Sequence, residues 1–199
     1  AQKAGGKATE DLFRNKQFPS AFECKPCHPL QFRQWSASSH AYANLSPFFV
    51  SVENSVKGKT NGTSADTCSR CHAPLAAVLD VMQMSNMKRA QFARAGKDFL
   101  GPVVEGITCV VCHRFDKRYA KRSARALITE GDIFAPIFGP TNNDIQAETQ
   151  KDTRLALVTE PGKKGRPIHK RVEHYPFLRA SVFCGNCHSS RLPTGFHNE

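Results

Sequence analysis

Cys24-Lys25-Pro26-Cys27-His28 is the first of four Cys-x-x-Cys-His sequences in this chain. The others are Cys68-Ser69-Arg70-Cys71-His72, Cys109-Val110-Val111-Cys112-His113 and Cys184-Gly185-Asn186-Cys187-His188. All eight cysteines fall in these four pairs, and each pair is followed at once by histidine. This is the attachment sequence for c-type haem: two thiols form thioethers to the porphyrin, and the adjacent histidine reaches the iron as proximal ligand.

Paired cysteines also occur in zinc ribbons, disulfide frameworks and thioredoxin-like redox pairs. None of these requires a histidine after the second cysteine. With 8 histidines in 199 residues, chance would place one after all four pairs with odds on the order of one in 400,000. The expectation is four covalent haem c groups, held by Cys24, Cys27, Cys68, Cys71, Cys109, Cys112, Cys184 and Cys187, with His28, His72, His113 and His188 as proximal ligands.

The remaining histidines are His40, His169, His174 and His197, one spare ring for each haem. That count fits four six-coordinate irons with histidine on both faces, so these four are the candidate distal ligands. Met82, Met84 and Met87 cluster in one helix-like stretch and read as core filler rather than axial ligands.

The 199 residues carry 28 basic and 17 acidic side chains, a formal net charge of +11. Leu, Ile, Val and Phe together supply only about a fifth of the chain, close to the edge below which charged sequences stay disordered. Porphyrin lined by the 14 Phe and by aliphatic side chains supplies the missing core. Ferric haem with two ionised propionates carries about −1, so the charge falls to about +7 oxidised and about +3 reduced. The basic runs at 117–125 and 163–171 then read as solvated faces and propionate partners, not as a nucleic-acid footprint. No apolar run approaches the roughly 18 residues needed to span a bilayer, which excludes an integral membrane protein. No charged n-region with an apolar h-region opens the sequence, so the numbering is expected to begin at the mature chain. Haem attachment needs an oxidising route outside the cytoplasm, which implies export.

Residues 1–20 read as a polar N-terminal arm and 21–199 as a single tetrahaem cytochrome domain. A helix is expected from Pro29 to Ala43, carrying His40 and ended by Pro47. Residues 55–67 read as loop. Its Gly58-Lys59-Thr60 is no P-loop, because Glu53 stands where the first glycine belongs. The longest helical signal runs from Pro74 to Ala95, with Gly96 to stop it. Short strands are expected at 126–128 and 155–158, and a helix from Pro176 into the fourth motif. The first cysteines at 24, 68, 109 and 184 are unevenly spaced, so no solenoid repeat is present. Asn44-Leu45-Ser46 and Asn61-Gly62-Thr63 match the glycosylation acceptor pattern and are read as unmodified.

Gln31-Phe32-Arg33-Gln34-Trp35-Ser36-Ala37-Ser38-Ser39-His40-Ala41, directly after a first attachment sequence, resembles the cytochrome c-554 family of multihaem cytochromes. So does Glu105-Gly106-Ile107-Thr108-Cys109-Val110-Val111-Cys112-His113, and the order and spacing of all four motifs agree over about residues 20–190. Within that family, Cys71-His72-Ala73-Pro74 and Phe183-Cys184-Gly185-Asn186-Cys187-His188 are most similar to tetrahaem subunits of extracellular cytochrome filaments (OmcE-type nanowires). The resemblance implies a mainly α fold with a large loop fraction and little β, wrapped around four stacked haems that pass single electrons. It also implies that His40 is a distal ligand. In the filament branch one distal histidine comes from the neighbouring subunit, and in the nitrifier branch one iron lacks a distal ligand. The spare-histidine count here speaks against the latter.

Electron-transfer haems are closed on both faces, whereas catalytic haems keep an open position. The chain is therefore expected not to be an enzyme. The leading expectation is a subunit of an extracellular or cell-surface filament, a homopolymer with haem–haem contact and a shared axial histidine, passing electrons to redox proteins or extracellular acceptors. The alternatives are a soluble periplasmic tetrahaem shuttle that docks acidic partners through its positive surface, and a reductase or oxidase at one open haem.

Overall fold

Serine side chains cap two of the helices at their first turn. The computed structural model describes residues 18–62, 65–78, 104–121 and 125–189. Ser20 opens α1 (Ala21–Cys24) with a capping box, its hydroxyl accepting from the Phe22 amide while Glu23 reaches back to the Ser20 amide. α2 (Pro29–Ser36) has Pro29 in its first turn. α3 (Ser39–Tyr42) follows after a break at Ala37 and Ser38. α4 (Pro47–Lys59) is capped by Ser46, whose hydroxyl accepts from the Phe49 amide.

Three expectations are corrected here. The helix over 29–43 is two helices, because the Ser38 hydroxyl donates to the Trp35 carbonyl at 2.7 Å and competes for the group that the next turn needs. Pro47 does not end a helix but begins one, as a residue without an N–H can at the first turn. Residues 55–59, read as loop, belong to α4. Phe49 and Glu53 are buried on that helix, and the chain turns only at Asn61 and Gly62, whose φ values are +48° and +82°.

α5 (Ala65–His72) and α6 (Pro74–Val78) follow. The expected continuation of α6 to Ala95, with the three methionines, lies outside the described residues, as do residues 1–17 and His197. α7 (Cys109–His113) leads into β1 (Phe115–Lys121), which pairs antiparallel with β2 (Arg125–Ile128). Lys117, Arg118 and Lys121 of the basic run therefore lie on β1 and Arg125 on β2, a strand pair in which buried Phe115 stands opposite buried Ile128. β3 (Ile137–Gly139) pairs in parallel with β6 (Val172–His174), and β4 (Leu157–Val158) with β5 (Arg166–Pro167). α8 (Asn143–Gln150) lies between β3 and β4. The strand expected at 155–158 is shorter, since Thr153–Leu155 is a 3-10 turn. Pro176–Arg179 is likewise 3-10, and Ala180 is extended before α9 (Ser181–His188) begins. The fold is mainly helical, with long connections and small two-stranded pieces.

The core of the described residues is small: Phe18, Ala73, Leu75, Ala76, Val110, Val111 and Ile128, gathered from α6, α7 and β2. A second aromatic group links β3 to α9 through Phe138–Tyr175, Tyr175–Phe177 and Phe177–Phe183, with ring centres 4.7, 5.7 and 5.5 Å apart. Among the described residues no helix is long and apolar enough to cross a membrane. Of the two glycosylation-pattern asparagines, Asn44 is only 1% exposed, whereas Asn61 lies on the exposed turn after α4.

Candidate haem centres

A helical turn places residues i, i+3 and i+4 on one face, so Cys-x-x-Cys-His presents two thiols and an imidazole together only when it is helical. α7 is the third motif itself, and α5 and α9 each end on one. In the first motif the His28 amide donates to the Cys24 carbonyl at 2.9 Å, a helical contact that carries α1 across to α2. None of the eight cysteines is in a disulfide. Among the described residues no three His, Cys, Asp or Glu side chains gather as a site for a bare metal ion.

Two proximal rings are already oriented. His113 Nδ1 lies 2.7 Å from the Phe138 carbonyl, and His72 Nδ1 lies 3.3 Å from the Ala43 carbonyl. A carbonyl can only accept, so each Nδ1 carries the proton and each Nε2 keeps its lone pair for a metal. Phe49 stacks on His72 with centres 4.4 Å apart and planes 6° from parallel, which fixes that ring further.

His40 and His188 face each other with ring centres 6.3 Å apart. Two imidazoles bound to one ion need about 2 Å per metal–nitrogen bond. With about 1 Å more from each nitrogen to its ring centre, the expected separation is about 6 Å. His40 is held there by both stretches that carry the family resemblance. The Trp35 indole donates to the Ile107 carbonyl at 2.8 Å, and the Ile107 amide donates to the His40 carbonyl at 3.0 Å. Gly106 has φ +68°, and a Cβ there would stand 2.4 Å from the His40 carbonyl oxygen. Only glycine permits that approach.

His169 is half-buried, and its Nδ1 has no hydrogen-bond partner among the described residues. Burial, with His28, His113 and Arg114 nearby, lowers its pKa to about 4. Burial and the neighbouring His113 also hold His28 below the usual imidazole range. The rings of the first and third motifs and His169 are thus neighbours, and a neutral ring is what a metal ligand requires. His174 is exposed at the end of β6, and no ring contact pairs it with a proximal histidine among the described residues.

The thiols of different motifs also meet. The side chains of Cys24 and Cys109 interact, which raises the Cys24 pKa and lowers that of Cys109. Cys187 and Cys71 interact in the same way, Cys187 raised and Cys71 lowered. Burial, with Cys109 and Cys184 near, pushes Cys112 up to about 11. Groups held by the first and third motifs would be attached at adjoining sulfur atoms, and so would those held by the second and fourth.

Sequence reasoning missed three buried charges beside these anchors. Glu105 accepts from the Ser20 hydroxyl, the Ala21 amide (2.8 Å) and the Thr108 hydroxyl (2.9 Å), joining the start of α1 to the start of α7. Glu53 accepts from the Ser69 hydroxyl at 2.5 Å and pairs with Lys57 at 3.3 Å, joining α4 to the second motif. Arg114, 1% exposed, donates to the Gly131 and Asp132 carbonyls, while its Nε is buried without a partner. Acidic Glu105 four residues before a motif and Ser69 inside one were the legible hints. Nothing in the sequence marked Arg114 as buried.

Large apolar side chains stand uncovered by protein beside the motifs: Phe22 before Cys24, Leu30 after His28, Val78 after His72 and Val182 before Cys184. An apolar macrocycle is what such side chains would cover. The thiol pairs, the rings with free Nε2 and these surfaces fit covalently attached haem. Each motif would hold its porphyrin by two thioethers and one imidazole.

These four attachment sequences and this fold are similar to those of multihaem c-type cytochromes. The family described as cytochrome c554 and c-prime matches residues 23–114, the stretch holding the first three motifs. The fold is similar to that of a penta-heme cytochrome c552 from Thermochromatium tepidum, with a TM-score of 0.52 and 22% identity. That likeness covers 89% of this chain and 48% of the other, so the chain spans about half the length of that structure. No curated protein matches.

Proposed function

We propose that the chain transfers electrons through four c-type haems, each closed by two histidines. The observation that carries this reading is the His40–His188 pair, a spare ring facing the fourth motif's own histidine at the separation that a single iron between them needs. His169, kept neutral beside His28, is the second proposed distal ligand, and His174 and His197 complete the donor count. Bound haem iron supplies one-electron chemistry between its ferric and ferrous states. The protein residues anchor it, set its axial donors and place fixed charges near it. Intact-mass measurement of the holoprotein tests the stoichiometry, with four haem additions expected. Three or fewer would refute it.

The site of action proposed is the cell exterior, where the chain forms a filament of its own copies. The motif resemblance around Cys71–Pro74 and Phe183–His188 supports this, as does His174, exposed on β6 and open to a neighbouring copy. Electron microscopy of native material distinguishes filaments from monomers. Replacing His174 with Ala should abolish polymerisation, while a monomer would be unaffected. A soluble periplasmic shuttle is the second reading, favoured by the exposed cations of residues 163–171. A high-spin ferric signal in the assembled protein would instead indicate an open iron and a reductase.

A further inference from the structure

The segment that joins β4 to β5 and runs on to β6 carries Lys163, Lys164, Arg166, Lys170 and Arg171, all exposed. It is laid against the first attachment sequence: Arg166 Nη2 donates to the Pro26 carbonyl at 3.3 Å. Gly165 pins the segment to β4, since a Cβ there would stand 2.5 Å from the Ala156 carbonyl oxygen. Lys25, also exposed, sits inside the motif with its ammonium 5.1 Å from the Phe32 ring centre. Cys27, the second anchor of that motif, is exposed.

The charge on this face is strongly one-sided. Arg171 is matched by Glu173 at 2.6 Å. Lys163, Lys164 and Lys170 pair with no carboxylate among the described residues, and the carboxylates closest to them in sequence are Glu160 and Glu173, the latter engaged by Arg171. Arg166 ties this basic segment to the exposed anchor, which distinguishes it from a merely solvated run. The segment's cations raise the local concentration of an anionic partner where the two redox groups can approach.

We propose that this face, Lys25 with Lys163, Lys164, Arg166 and Lys170 around the first attachment sequence, is the docking surface for an acidic one-electron carrier protein, and that electrons cross there. The proposal rests on the electron-transfer reading above. In the exchange the partner loses one electron and the ferric iron of the first haem gains it, with no bond or proton moved.

The test is stopped-flow reduction of the oxidised holoprotein by a reduced plant-type [2Fe–2S] ferredoxin, a small acidic one-electron donor, across ionic strength. The wild-type rate constant should fall steeply with salt. Lys163→Glu/Lys164→Glu should slow the low-salt rate about tenfold or more and flatten the salt dependence. Lys59→Glu/Arg179→Glu, which makes the same change in net charge elsewhere, should cost less than about threefold. Equal effects of the two doubles, or a wild-type rate indifferent to salt, would overturn the docking face. Retention on phosphatidylglycerol vesicles with a salt-indifferent ferredoxin rate would overturn it in favour of a membrane surface. Photoreduced deazaflavin, an uncharged donor, should reduce all variants alike. Failure to reduce even the wild type would overturn the electron-transfer reading instead.

Discussion

A guanidinium taken out of water is costly unless its donors are met, and Arg114 meets those of its two terminal nitrogens with main-chain carbonyls rather than a carboxylate. It follows His113 directly and lies near Cys24, so its charge would act on haems attached at the first and third motifs. A nearby cation disfavours the ferric state, which carries one more positive charge than the ferrous state. Arg114→Gln should therefore lower the midpoint potential of that pair, by the order of tens of millivolts, in a spectroelectrochemical titration. No change, or a rise, would show that the charge is screened. His169 carries a pH dependence. In the unfolded chain it protonates near 6.5, but in the fold it stays neutral down to about 4. Between those values the unfolded state binds more protons, so its contribution is complete above pH 6.5 and lost as pH falls toward 4. Melting should occur at lower temperature at pH 5 than at pH 7, and His169→Phe should reduce the difference.

The helices hold the histidines through main-chain contacts that sequence patterns do not display. Trp35, Ser38 and His40 stood out as one element beside Glu105-Gly106-Ile107. That the two stretches touch, with Ile107 bonded to both Trp35 and His40, is a tertiary fact. Gly106→Ala adds a methyl at 2.4 Å from the His40 carbonyl oxygen and strains a positive φ. It should displace α3 and produce a high-spin fraction in the ferric spectrum. Trp35→Phe removes one hydrogen bond and should cost about 1 kcal/mol in unfolding free energy. The motifs themselves were legible because covalent chemistry demands their spacing. The break at Ser38 and the full length of α4 were not, since serine competition with the backbone and burial of Phe49 and Glu53 decide them.

At the scale of the molecule, the small core of the described residues and the uncovered Phe22, Leu30 and Val182 beside attachment cysteines make porphyrin a structural partner. Blocking haem attachment by Cys109→Ala/Cys112→Ala should destabilise far more than two thiols would, because the apolar surface around α7 loses its cover. Urea unfolding of that variant, compared with wild type, checks this: a drop below about 1 kcal/mol would contradict it. The weak aliphatic content and the +11 charge were both visible in the composition. Which thiols meet was not, because Cys24–Cys109 and Cys71–Cys187 contacts depend on how distant segments return. The central claim is four haems per chain, each closed by histidine on both faces. Spin-quantified low-temperature EPR of the fully oxidised, assembled protein tests it most directly. Low-spin ferric signals integrating to four spins per chain are expected. A high-spin signal approaching one spin per chain, or a low-spin total of three, would contradict it.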